Sequence, residues 1–279
     1  MPPFHPHPWL LLTWLVLGSL HVRASRGRRG RALAGWGALA LVTLWPVGDV
    51  AASQSLTVAT AQRLVVMLFV APMLLMATST VQLSRWSRPG GVDAVTKWLA
   101  RPVASLVVVT VVGTATLSTP VVDAGARSTL ARAAVMAIVL ACGLVLWVPA
   151  LGVMPGARRL SPIGRAAFVF VASLLVTSLS FVWIFAHHSL YPGLHDQSRL
   201  WHLTPLLDQQ IAGFVAKLGS YVPMWAVAFT IFSRADESGV SVEESPLHWA
   251  DVERELERID RRRARASRRG ASEARDEGE

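Results

Sequence analysis

The chain contains one cysteine, Cys142, in an apolar stretch, so no internal disulfide can form and no Cys-x-x-Cys pair is available for metal or redox chemistry. The expected role of that thiol is small apolar packing. Acidic residues are scarce where the chain is apolar. Residues 1–232 hold five Asp and no Glu against 17 Lys and Arg. Paired carboxylates of the kind general acid–base catalysis uses are therefore missing from the apolar segments. There is no Gly-x-Ser-x-Gly elbow and no phosphate loop. An enzyme has nothing to stand on, and the expectation is a non-catalytic protein.

Apolar length is abundant. Hydrophobic residues make up 52% of 279, and mean hydropathy is +0.43. A soluble domain cannot hide so much apolar surface in segments of this length, and an all-α, polytopic membrane helix bundle is expected. A helix needs about 20 apolar residues to cross the hydrocarbon. Seven segments qualify as candidates: Pro8–Val22, Ala32–Val47, Thr57–Val81, Pro102–Val122, Thr129–Leu151, Ala166–His187 and Ile211–Phe232. The first has its basic cluster after the apolar run, the reverse of a signal peptide, and so reads as a retained helix.

The net charge of +9 invites a nucleic-acid reading, but its distribution speaks against one. The tail from Ser233 is acidic on balance, and the excess lies in short loops between apolar segments. Arg23–Arg31, Gln82–Arg101 and Gly152–Arg165 carry twelve Lys and Arg, whereas the alternate loops carry only Arg127 and Arg199. That asymmetry places the N-terminus outside and the C-terminus in the cytoplasm, as seven helices in a plasma membrane require. The expected organisation is a transmembrane domain over 1–232 and a charged cytoplasmic tail over 233–279. Within the tail, Trp249, Val252, Leu256 and Ile259 give a short amphipathic helix near 247–260.

Two groups of side chains could carry chemistry. Arg63, Arg132 and Lys217 fall inside apolar segments, where ionisable groups are costly and mark function or a partner. Snorkelling toward the outer surface, with Asp208 as counter-ion to Lys217, is one expectation. An intramembrane cationic pocket for a small molecule or lipid is the other. The loop after the sixth segment holds His187, His188, His195 and His202, half of the chain's histidines. Imidazoles bind copper, and this loop lies on the expected outer face.

At this loop and the last segment the chain resembles the CtaG family of cytochrome c oxidase assembly factors. The likeness rests on Leu190-Tyr-Pro and on Leu206-Leu-Asp-Gln-Gln-Ile-Ala-Gly213, with the signature Asp208, Gln209, Gln210 and Gly213. Leu144-Val-Leu-Trp-Val-Pro-Ala-Leu-Gly152, Arg158-Arg-Leu-Ser-Pro162 and Ser55-Leu-Thr-Val with Gln62 and Ala71-Pro72 add to it. The resemblance implies an accessory role in oxidase biogenesis or copper handling, with cytochrome c oxidase subunits as partners. It also implies intramembrane histidines as metal ligands, but their four positions hold Ala59, Arg63, Arg132 and Met136 here. Two of those are cations, which repel copper. A copper site is then left to the outer-loop histidines.

Overall fold

The computed structural model describes residues 8–25, 27–44, 46–87, 89–155, 157, 159–191 and 203–237. The expected tail helix near 247–260, His195 and His202 lie outside the described residues. Among these residues the chain is all-α. Two short helices lead: α1 (Pro8–Ala24) and α2 (Arg29–Thr43), followed by α3 (Val47–Ser53). The third segment is one long helix in three parts, α4 (Leu56–Val65), a π-helical turn (Val66–Val70) and α5 (Ala71–Ala77). Then come α6 (Thr80–Trp86), α7 (Gly90–Leu99), α8 (Pro102–Ala115), α9 (Thr119–Arg127) and α10 (Thr129–Leu151). The helices α11 (Pro162–Val176), α12 (Leu179–Ile184) and α13 (Pro205–Glu237) complete the described chain.

Among the described residues, four segments are long and apolar enough to cross a bilayer: Leu56–Ala77, Thr129–Leu151, Pro162–Ile184 and Pro205–Ala235. They correspond to the third, fifth, sixth and seventh expected segments. A fifth arises if α7 and α8, bent by 89°, count as one. The remaining candidates fall short of the usual spanning length. α1, α2 and α8 have 17, 15 and 14 residues, which at 1.5 Å per residue reach only about 21 to 26 Å.

Prolines set several of these breaks. A proline has no N–H to offer the carbonyl four residues before it, and in an apolar medium that carbonyl needs another donor. Pro46 frees the Val42 carbonyl, and the Gln62 amide donates to it at 2.6 Å. Pro120 stops the fourth expected segment, dividing it into α8 and α9. The freed Thr116 carbonyl accepts from Arg63 Nη2 at 2.9 Å. Pro149 stays inside α10, and Ser105 Oγ donates to the Val145 carbonyl at 2.9 Å. Pro72 acts through the π-turn. Ala71 N–H bonds back to the Val66 carbonyl, so the Met67 carbonyl would look to the nitrogen of Pro72. The Trp147 indole donates to it instead, at 2.9 Å.

The main core forms where α10 crosses the π-turn, with Val66, Val70, Ala71, Val139, Cys142 and Leu146 buried together. Gly143 permits that crossing: a Cβ there would stand 2.8 Å from the Ala71 methyl and 3.0 Å from Met67 Cα. Away from the core, Leu12, Leu41, Val103 and Phe229 are exposed, as a helix surface facing lipid requires. Replacing Trp147 by Phe keeps the ring's bulk but orphans the Met67 carbonyl. This should cost about 1–3 kcal/mol, measurable as a lower midpoint in reversible detergent unfolding with helix content unchanged.

Candidate functional site

The end of the bundle where α4 begins is held by side chains distant in sequence. Four orphan N–H groups open any α-helix, and a carboxylate beside them is favoured by hydrogen bonding and by the helix dipole. Here Ser55 is the N-cap, its hydroxyl accepting from Val58 N–H at 3.3 Å. Asp208, in the first turn of α13, supplies the carboxylate. Its Oδ2 accepts from Leu56 N–H at 2.6 Å, and its Oδ1 from Ser55 Oγ at 2.8 Å and Thr57 N–H at 3.3 Å. Thr57 Oγ1 donates in turn to the Asp208 carbonyl at 3.0 Å.

The residues after Asp208 continue the docking. Gln209, almost fully buried, accepts from Leu190 N–H through Oε1 at 2.8 Å. Gln210 Nε2 donates to the Ala186 carbonyl at 3.3 Å. A Cβ on Gly213 would come within 2.7 Å of Ile184 Cγ1 and 2.9 Å of the Ser180 carbonyl, so α13 can approach α12 only with glycine there. Tyr191 closes the corner by donating to the Leu117 carbonyl at 2.8 Å and accepting from Trp183 Nε1 at 3.1 Å. Burial pushes its phenol above the usual value, opposed by the Trp183 hydrogen bond and the charge of Arg63.

Asp208 is thus not the counter-ion of Lys217. It is committed to the α4 N-terminus, and Lys217 lies nine residues further along α13, about 13 Å away at the α-helical rise. The Lys217 ammonium donates to Tyr221 Oη at 3.2 Å and Thr177 Oγ1 at 3.4 Å, and sits 4.0 Å from the Phe181 ring centroid. Lys217 is buried rather than snorkelling. Arg132 has a carboxylate partner that sequence spacing could not reveal. Its Nη1 lies 2.6 Å from Asp49 Oδ1, 83 residues earlier, in the short α3. Arg63 donates from Nη1 and Nη2 to the hydroxyl and carbonyl of Thr116, at 3.1 and 2.9 Å.

Arg63 and Arg132 line one cavity of about 70 Å³ between α4, α9 and α10. Ala59 and Met136 line it as well. Ala59 and Arg63 are one turn apart on α4, as are Arg132 and Met136 on α10, so each pair shares a helix face. Lys217 does not line this cavity. A second cavity of about 60 Å³ lies against the other side of Arg63. Among the candidate copper ligands, His187 and His188 are exposed just after α12. No group of three or more His, Cys, Asp or Glu is placed to hold a metal ion among the described residues.

The sequence model of the cytochrome c oxidase caa3 assembly factor family, Caa3_CtaG, matches residues 10–237. The chain belongs to that family. No curated protein and no solved structure matches it. Within the family frame, the cavity joins the four positions at which the resemblance implies histidine, and here they present two guanidiniums, a methyl group and a thioether. The Asp208–Gly213 signature works as a buttress, locking the final helix to the start of α4. Spacing alone gives no hint of this, because the groups Asp208 serves lie about 150 residues away. Replacing Asp208 by Ala should leave three donors of the α4 N-terminus short of an acceptor and destabilise the fold by about 1–3 kcal/mol. Hydrogen exchange should show the loss first at Leu56 and Thr57.

Proposed function

We propose that this protein is a non-catalytic accessory factor for biogenesis of a haem–copper oxidase, acting by protein contact in the plasma membrane. The observation that carries the reading is the family match over residues 10–237. The intact buttress from Asp208 to Gly213 supports it, since it preserves the bundle that a partner subunit would meet. Copper, if handled, belongs at the outer face on His187, His188, His195 and His202. The cavity at Ala59, Arg63, Arg132 and Met136 suits no cation, because the Arg63 charge opposes one and the Asp49 carboxylate is already paired with Arg132. Deleting the gene should lower oxidase activity and the copper content of the isolated oxidase, with both restored by the wild-type gene. A copy with the four histidines changed together to Ala should restore activity if contact is the role, and should fail if copper delivery is. Normal activity and copper in the deletion strain would remove the reading.

The same proposal includes seven membrane-crossing segments with the N-terminus outside, supported by the twelve-to-two loop charge asymmetry. α1, α2 and α8 would then cross as short helices, with bilayer thinning or flanking arginines making up the length. Single cysteines placed in a Cys142→Ser background should report this with an impermeant thiol reagent. Labels should appear in intact cells at residues 48–56 and 188–210, and only after lysis at residues 82–101. Labelling of residues 23–31 in intact cells would reverse the orientation.

A further inference from the structure

The cavity between α4, α9 and α10 is lined by two guanidiniums and by no carboxylate. Asp49 pairs with Arg132, whereas Arg63 has no carboxylate partner among the described residues. The Thr116 carbonyl it caps ends α8, and a helix C-terminus offers only about half a negative charge. The two bonds to Thr116 use two of the five N–H donors of a guanidinium. Two further donors, on residues that line the cavity, have no partner. One is the hydroxyl of Thr60, which is 5% exposed, and the other is Nε of Arg132. Thr60 and Arg63 sit one turn apart on α4 and both line the cavity, as does Arg132.

We propose that this cavity binds a monoanionic carboxylate, held by Arg63 and by the Thr60 hydroxyl and Arg132 Nε. Water could satisfy the hydroxyl but would leave the charge uncancelled in a low-dielectric setting. A cavity of about 70 Å³ has room for about two waters at roughly 30 Å³ each, which is also the scale of a carboxylate group. Two oxygens on a planar head match a guanidinium fork, which a halide cannot. The second cavity shares Thr60, Arg63 and Thr116 with the first and is walled by Leu64, Met67 and Trp183. It gives an alkyl end an apolar place beside the bound head. The carboxylate can come from the aqueous phase as a short acid or from the bilayer as a fatty acid. This inference concerns binding alone and does not depend on the oxidase role.

The full chain, purified in a neutral detergent and a sulfonate buffer free of carboxylates, is titrated with acetate and separately with decanoate. The unfolding midpoint is followed by tryptophan fluorescence. A ligand that binds only the folded state raises the midpoint with saturable concentration dependence. Arg63→Met should weaken this response at least about tenfold, Thr60→Val should weaken it less, and Arg63→Lys should retain part of it. Saturation by acetate marks a soluble acid as the source, and saturation by decanoate alone marks a bilayer acid. Both must depend on Arg63. If Arg63→Met does not fold, Thr60→Val and Arg63→Lys carry the comparison, and a response equal to wild type in both overturns the proposal. So does the absence of a saturable response to either acid in the wild-type protein.

Discussion

A backbone carbonyl left without its helical donor inside an apolar bundle has no water to turn to, and much of this structure answers that constraint. Four prolines each free such a carbonyl, and four side chains from neighbouring helices supply the donor: Gln62, Arg63, Ser105 and Trp147. An unmet carbonyl in this medium costs several kcal/mol, so each of these four prolines obliges a particular neighbour. Three of the four bonds involve the long third helix. Gln62 and Arg63 reach from α4 to α2 and α8, and the π-turn below them receives Trp147 from α10. Asp208 fixes the start of the same helix from α13. The third segment is thereby tied by polar bonds to four other helices, while apolar packing fills the space between.

The same constraint places the candidate site. Arg63 faces the gap between α8 and α9 because Pro120 makes a gap there and exposes the Thr116 carbonyl. Its guanidinium consequently stands between two cavities, with Thr60 above it on the same helix face. Arg132 arrives by a separate route, through α10 and its pair with Asp49. Side chains at Ala59 and Met136 are small or slender, so neither fills the space the two arginines border. A change of cavity chemistry can coexist with the same scaffold only where a donor still meets the Thr116 carbonyl, as Arg63 does here.

Much of the architecture was legible in the sequence because apolar length is a coarse signal that survives any detail of packing. Thr129–Leu151 coincides with its expected segment to the residue, the seventh differs at its ends only, and the sixth is divided between α11 and α12. The expected fourth segment runs through Thr116, although Pro120 marks the split there. A proline near an expected helix end looks harmless until it is known which carbonyl it strands. The role of Asp208 differs from the expected one for a related reason. Proximity in sequence pointed to Lys217, whereas a helix N-terminus 152 residues away offers a carboxylate more hydrogen bonds. Asp49 lies between two expected segments, and a loop carboxylate can reach into a span only when the loop itself folds onto the bundle, as α3 does.

The three cations inside apolar segments show how donor arithmetic, more than charge alone, separates structure from function. Lys217 has three N–H donors, and two hydroxyls and an aromatic face surround its ammonium. Nothing is left to offer a ligand, and no cavity named here touches it. Arg132 cancels its charge on Asp49 yet keeps Nε unpaired. Arg63 has five donors, spends two on a single threonine, and borders empty space on both sides. Of these three groups it alone combines unbalanced charge, unspent donors and room. A lysine at position 63, with one nitrogen and three donors, could cap Thr116 or serve a ligand in the cavity, and would struggle to do both; the guanidinium fork is what allows one side chain to stitch the bundle and still face outward from the stitch.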